Sequence, residues 1–342
     1  MSIIPKVNSI YPKFAIPGGE ISINCEGFTV DHYRGFSVII GGRRAEISSA
    51  SSTHILVRVP EGIERSETEL ILSSGGVQSA PVRFIVGRLI VSDMHIVANP
   101  AVDPDDDSII VTRSGGRGQQ LDATLFRVRG DGDVEEMADA ILNPTGVAFG
   151  RDGTLYVTAR AEGEVYSIDR RGRSSLHATG LGVATGIAFD PQGQMYVGDR
   201  TGTIYRVDSF FNISVFASLE ASIAAYHLAF GPSDHLFVTS PGLASHDRIF
   251  DIDKDGSKTA FGMGFGRPQG LAFDTEGRLY AAACYQGRHG IVRISADRGS
   301  VSHFVAGNNV IGLCFSRNGE MLVATGDSLY SVPCGLQGTL LS

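Results

Sequence analysis

Pro144-Thr145-Gly146-Val147-Ala148-Phe149 is followed, across the turn Gly150-Arg151-Asp152-Gly153, by the apolar run Leu155-Tyr156-Val157. This two-part phrase returns down the chain. Its first half reappears as Gly186-Ile187-Ala188-Phe189, His227-Leu228-Ala229-Phe230, Gly270-Leu271-Ala272-Phe273 and Gly312-Leu313-Cys314-Phe315. Its second half reappears as Met195-Tyr196-Val197, Leu236-Phe237-Val238, Leu279-Tyr280-Ala281 and Met321-Leu322-Val323. Gly146, Gly186, Leu228, Gly270 and Gly312 stand 40, 42, 42 and 42 residues apart. A fixed period of this length, built from short strand-like runs between Gly- and Asp-bearing turns, is the sequence signature of a β-propeller.

Aligning the copies defines the unit. In one copy strand a is Ile187-Ala188-Phe189, strand b Met195-Tyr196-Val197, strand c Thr203-Ile204-Tyr205-Arg206-Val207 and strand d Ile213-Ser214-Val215-Phe216. A degenerate first copy precedes the clear five. Asn99-Pro100-Ala101-Val102-Asp103 aligns with Thr145–Phe149, and Ile109-Ile110-Val111-Thr112 with Leu155–Thr158. The first spacing is stretched by the Gly115-Gly116-Arg117-Gly118-Gln119-Gln120 loop, which is expected to drape over one end of the ring. Six units result. The last runs out after strand c, at Ser328-Leu329-Tyr330-Ser331-Val332. A missing outer strand leaves an open edge in a ring that must close. The run Leu89-Ile90-Val91, within about residues 87–94, can supply it.

Residues 1–86 read differently. Ile21–Cys25, Ser37–Ile40, Ala45–Ile47, Ile55–Val59, Glu69–Leu72 and Val82–Val86 are short strand runs. They are separated by Pro17-Gly18-Gly19, Gly41-Gly42 and Ser73-Ser74-Gly75-Gly76. This spacing points to a small β-sandwich. The expected fold is all-β: an immunoglobulin-like sandwich over 1–86 and a six-bladed propeller over 87–342.

Bulk properties narrow the function. The 342 residues carry a net charge of −8, which speaks against a nucleic-acid surface. Residues 1–86 hold eight Lys/Arg and eight Asp/Glu, so the acidity lies in the repeats. No apolar run approaches a membrane span, and the N-terminus lacks the pattern of a signal peptide. As written, the chain reads as soluble and cytoplasmic. Cys25, Cys284, Cys314 and Cys334 show no metal-binding spacing. Cys25 and Cys314 sit in strand runs as small apolar residues, and Cys314–Cys334 is the pair nearest to a disulfide.

The N-terminal segment resembles the IPT/TIG family of immunoglobulin-like domains. Ile10-Tyr11-Pro12, Pro17-Gly18-Gly19-Glu20-Ile21, Gly27-Phe28, Val38-Ile39-Ile40-Gly41-Gly42 and Ile55-Leu56-Val57-Arg58-Val59-Pro60 carry the likeness. Bacterial members of that family usually serve as accessory domains. The repeat region resembles propellers of the NHL type and of the gluconolactonase-like superfamily. The start Pro-x-Gly-hydrophobic-Ala-hydrophobic, seen at Pro144–Phe149 and Pro268–Phe273, carries that likeness. The likeness marks the scaffold, which hosts many activities.

In such a propeller the residue opening each strand a faces the channel at the end where strand a begins, called here the top. That ring is Asn99, Thr145, Thr185, His227, Gln269 and Ile311. The resemblance to the lactonase-like enzymes implies a metal held at this ring by a Glu, an Asn and an Asp. This ring has no carboxylate, whereas a hard divalent cation needs charged oxygen ligands. Asn99 stands where the Glu should be, Thr185 where the Asn falls, and His227 among the positions expected to supply the acid. No metal or other cofactor is therefore expected. Under an enzymatic reading, Asn99, His227 and Gln269 would be the ligands of a Ca, Mg or Zn ion. His227 is the one candidate base, with the Tyr226 hydroxyl beside it.

The loops after strand b add a second tier at the top: Arg113, Arg160 and Arg200, then His246, Arg248, Tyr285, Arg288 and His289. Arginines on one face of an acidic protein focus a field on an anionic ligand. The plainer expectation for them is pairing with Asp199, Asp247 or backbone. Asp103–Asp107 and Asp251–Gly256 resemble fragments of calcium loops but lack the rest of the 12-residue pattern. The first reads as a solvated a–b turn and the second as a c–d hairpin turn with Asp-Gly chemistry. No nucleophile elbow, phosphate loop or His-Glu-x-x-His is present.

The preferred reading is a non-catalytic binding protein with an immunoglobulin-like accessory domain. Its partner is a small polar or anionic ligand, or a protein or peptide, at the top face; nucleic acid and membranes are not expected partners. The alternative is a divergent lactone hydrolase.

Overall fold

The computed structural model describes residues 4–30, 35–115, 121–137, 141–242 and 247–339. The chain forms an immunoglobulin-like sandwich followed by a six-bladed β-propeller. Blades 2 and 3 show the pattern most simply. Blade 2 pairs Pro144–Phe149, Leu155–Ala159, Glu164–Ile168 and Ser174–Ala178 in order, all antiparallel. Blade 3 repeats this with Ala184–Phe189, Met195–Asp199, Thr203–Val207 and Ile213–Ser218. The sixth blade is Val310–Phe315, Glu320–Thr325 and Leu329–Pro333, with Arg88–Val91 as its fourth strand, where Leu89 lies opposite Tyr330. Among the described residues no helix is long and apolar enough to cross a membrane.

The conserved spacing of the phrase has two physical causes. The first is its phenylalanine. Four of the five strand-a Phe residues meet an aromatic residue on strand b of the preceding blade, with ring centroids 4.9–5.3 Å apart: Tyr156–Phe189, Tyr196–Phe230, Phe237–Phe273 and Tyr280–Phe315. These tilted and edge-on pairs add to the apolar burial between blades. Ile110 and Leu322 take the strand-b place at the two interfaces flanking the degenerate first blade.

The second cause is its glycine. Neighbouring strands a converge on the channel so closely that a Cβ at Gly146 or Gly186 would collide with the carbonyl oxygen of Thr185 or Tyr226. Blade 4 carries Leu228 instead, and its Cδ1 occupies the space left by Gly186 and Gly198.

Threonines on strand b tie the inner strands together. Thr112 Oγ1 donates to the Thr145 carbonyl at 2.7 Å, Thr158 Oγ1 to Thr185 at 2.6 Å and Thr239 Oγ1 to Gln269 at 2.8 Å. Thr158 also accepts from the Gly146 N–H at 2.8 Å. Thr158→Val keeps the shape and removes both bonds. The stranded buried N–H should cost about 1–3 kcal/mol, read as a lower urea midpoint. An unchanged midpoint would remove this bracing role.

The immunoglobulin-like domain is fused to the rim of blade 5. Phe14–Ala15 lies parallel to Val305–Ala306, the outer strand of that blade, and also parallel to Ile85–Val86 of its own domain. One sheet thus runs through both domains. Ile16 is wholly buried in a cluster with Val305, Val310, Leu313 and Val332 of the propeller. The Tyr11 hydroxyl accepts from the His303 N–H at 2.7 Å, and Asn308 Nδ2 donates to the Gly18 carbonyl at 2.8 Å.

All four cysteines are free thiols, so Cys314 and Cys334 form no disulfide. Asp103, read from sequence as solvated, is buried and paired with Arg127 at 2.7 Å.

Candidate functional site

Two features stand at the channel, and the chain distributes the predicted residues between them. The first is a cavity of about 640 Å³, within the range of small-molecule sites. It is walled by the inner strands and reaches the a–b turns of the first five blades, at Pro104, Arg151, Pro191, Pro232 and Thr275. It therefore opens at the end opposite the top. Asn99, Thr185 and His227 form its inner end. The C-terminal segment crosses at the mouth, where the Thr275 N–H donates to the Gln337 carbonyl at 2.9 Å and Thr339 joins the lining.

The three inner polar residues differ in what they have free. Asn99 spans three blades: its Nδ2 donates to the Leu271 carbonyl at 3.2 Å and its Oδ1 accepts from the Leu313 N–H at 3.1 Å. Thr185 Oγ1 donates to the Gly198 carbonyl at 2.9 Å and accepts from the Tyr226 N–H at 3.1 Å. The His227 side chain, only 4% exposed, has no hydrogen-bond partner among the described residues. Burial lowers its pKa from 6.5 to about 4, so the ring is neutral near pH 7.

The other ring positions do not line the cavity. Thr145 is buried with its hydroxyl unpaired, Gln269 gives its carbonyl to Thr239, and Ile311 is buried apolar. Tyr226 is fully buried and its hydroxyl donates to the Glu220 carbonyl. The Asn99 oxygen already accepts one N–H and carries no charge, and neither ring nor cavity end supplies a carboxylate. Among the described residues no group of three His, Cys, Asp or Glu side chains converges. This donor set does not fit a hard divalent cation.

The second feature is at the top. Arg160 and Arg200, from adjacent blades, lie close enough that the Arg200 charge adds to burial in lowering the Arg160 pKa. Arg160 Nη2 reaches the Gly115 carbonyl at 3.4 Å. Neither arginine meets a carboxylate among the described residues. Asp199 and Asp247, the acids expected to pair with such arginines, instead accept backbone N–H groups of Val183 and Thr201, and of Gly242 and Arg267. Arg113 is half-buried; Arg248 and His289 are exposed. His246 and residues 116–120 lie outside the described residues.

Tyr285 and Arg288 belong to the domain junction. Arg288 Nη1 donates to Ser22 Oγ at 3.4 Å, and the Tyr285 ring packs on Phe265 and His303. Sequence reasoning missed the apolar cavity; its signal was the phrase's own phenylalanines, since Phe149, Phe189, Phe230 and Phe315 line it.

Residues 5–86 match the IPT/TIG domain family, and this segment is an IPT/TIG domain. Residues 186–207 match the N-terminal part of the strictosidine synthase-like family. A search of curated protein sequences found no match. Among solved structures, the chain is similar to an auxiliary nutrient-binding protein from Bacteroides thetaiotaomicron at 12% identity, covering 96% of this chain and 97% of that one, with a TM-score of 0.56. It is also similar to a gluconolactonase from Xanthomonas campestris at 16% identity, covering 78% and 90%, with a TM-score of 0.60. A further neighbour, a structural-genomics protein of unknown function from Bacteroides thetaiotaomicron, gives 13% identity, 96% and 98% coverage and a TM-score of 0.58. At these identities the likeness concerns the fold.

Proposed function

We propose that this protein is a non-catalytic binding propeller that holds a small anionic ligand at its top face, with Arg160 and Arg200 as the charged contacts. The observation that carries the reading is the like-charged pair itself. Two guanidinium groups from adjacent blades are half-buried and near enough for the charge of one to act on the other, with no carboxylate ion pair among the described residues to offset them. Such a pair is unfavourable alone and becomes favourable when a carboxylate or phosphate bridges it. The description of one structural neighbour as an auxiliary nutrient-binding protein agrees with a binding role.

The test is calorimetric titration of the wild type, Arg160→Ser and Arg200→Ser with a panel of dicarboxylates, citrate and sugar phosphates. A binder should emerge whose affinity falls about tenfold or more in each variant and weakens with added salt. A panel without any arginine-dependent binder would overturn the reading.

A further inference from the structure

We infer that the channel cavity is a second, separate ligand site, entered from the a–b-turn face, that takes an uncharged and mainly apolar molecule whose one polar group hydrogen-bonds to His227. The site is distinct from the top-face arginines, none of which lines it.

Three observations carry this. The walls are apolar: Phe149, Phe189, Phe230 and Phe315 stand around the cavity, with Val147 and Ile187 between them. Burying a ligand's apolar surface against such walls is what drives binding in most small-molecule sites.

The two acids near the mouth are already engaged. Asp190 accepts the N–H groups of Gln192 at 2.9 Å and Gln194 at 2.8 Å, and the Tyr196 hydroxyl at 3.3 Å. Asp274 accepts the N–H groups of Glu276 at 3.0 Å and Arg278 at 2.9 Å, the Arg278 Nε at 2.6 Å and the Tyr280 hydroxyl at 3.0 Å. Arg151 donates to the Pro191 carbonyl, and its charge stays exposed at the rim, where water screens it. A charged ligand at the inner end would lose its hydration there and meet no opposite charge among Asn99, Thr185 and the neutral His227.

The third observation is His227. Of the three polar side chains at the inner end, Asn99 and Thr185 are committed to the backbone of neighbouring blades. Of these three, the imidazole is the nearly buried group left without a hydrogen-bond partner among the described residues; Thr145, whose hydroxyl is also unpaired, does not line the cavity. Buried polar groups in folded proteins are normally satisfied, so an unpaired one lining a cavity marks where a ligand or an ordered water belongs. A neutral imidazole offers one donor and one acceptor, which suits a hydroxyl, carbonyl or amide.

Wild type and His227→Leu have no tryptophan, so a naphthalene fluorophore can be excited with little protein background there, whereas Thr275→Trp adds one and is read by calorimetry instead. The test titrates wild type, His227→Leu and Thr275→Trp with three probes: 1-naphthol, naphthalene and 1-naphthoate. Circular dichroism checks that each variant is folded. Wild type should bind 1-naphthol best and naphthalene more weakly, and should discriminate against 1-naphthoate. His227→Leu should weaken 1-naphthol about tenfold and leave naphthalene unchanged. Thr275 is exposed at the mouth, so Thr275→Trp leaves the core intact. It should weaken both neutral probes about tenfold or more by obstructing entry. Should His227→Leu fail to fold, the mouth variant alone decides.

Tighter binding of 1-naphthoate than of 1-naphthol would overturn the assigned ligand class. Binding of 1-naphthol that ignores both substitutions would overturn the location, as would no binding at all. An anion from the top-face panel should not displace 1-naphthol; displacement would overturn the independence of the two sites. Loss of the arginine-dependent binder with retained 1-naphthol binding would instead refute only the top-face reading.

Discussion

Gly270→Ala is expected to lower stability by about 3 kcal/mol or more. A Cβ built at Gly270 would coincide with the Asn99 side-chain oxygen, lie 2.6 Å from the Gly312 Cα and sit 2.9 Å from the Ile311 carbonyl oxygen. Two of these three obstacles are backbone, which cannot rotate away as a side-chain tip can. The third is the amide that joins blade 1 to blades 5 and 6. The methyl group therefore both overpacks the channel wall and dislodges the Asn99 bridge. Gly130→Ala is the control, because its added Cβ would meet nothing within 4 Å. Urea denaturation of both variants reads the result. A midpoint for Gly270→Ala matching that of Gly130→Ala would show that the inner strands yield easily, and the account of the repeated glycine would fail.

The second large effect is on pH dependence. Burial holds the His227 pKa at about 4 in the folded chain against 6.5 when exposed. Of the charged groups lining the same cavity, Asp190 and Asp274 are bonded chiefly within their own turns and Arg151 reaches the Pro191 carbonyl of the next blade; burial alone is the cause of the shift. The sign follows from proton counting. Below pH 6.5 the unfolded chain binds a proton that the folded chain still refuses. This stability is therefore fully present above pH 6.5 and is lost as pH falls towards 4. Between pH 7 and pH 5 the loss from this group should be about 2 kcal/mol. His303, whose pKa is also lowered chiefly by burial, contributes in the same direction and remains in either protein. His227→Gln should flatten the wild-type pH profile by the His227 share. Parallel profiles for the two proteins, from urea unfolding at pH 5 and 7, would place the loss elsewhere.

How far the sequence could be read depended on the range of each interaction. The repeat was legible because its causes recur locally: a glycine for the close approach of strands a and an aromatic for the preceding blade. That was enough for the all-β fold, the immunoglobulin-like domain and the propeller. It also placed His227 and Asn99 at one level of the channel, since register alone does so. What each does there was not legible. Asn99 looks like a channel-facing polar residue until its two partners, on blades 5 and 6, are known.

The junction of the domains was hidden for the same reason. Phe14-Ala15-Ile16 is a short apolar run between Lys13 and Pro17, and its partner strand, Val301–Ala306, lies near the other end of the chain. Arg288 and Tyr285 read as loop residues of a binding face, yet they meet Ser22 and His303. The direction in which the cavity opens depends on which side chains fill each end of the channel, and no periodicity encodes that.

The pairing of Leu89 with Tyr330 has a consequence for how the chain is made. As it leaves the ribosome, the first domain has all its own strands once residue 86 is out. Its Phe14–Ala15 strand and the Arg88–Val91 strand must then wait while five blades are synthesised. Long-range pairings of this kind form late and slowly. A nascent chain halted before Leu329 would carry a finished first domain and a ring with two unmatched edges. Protease sensitivity of such halted chains should stay high across the repeats and fall abruptly once the final strand emerges.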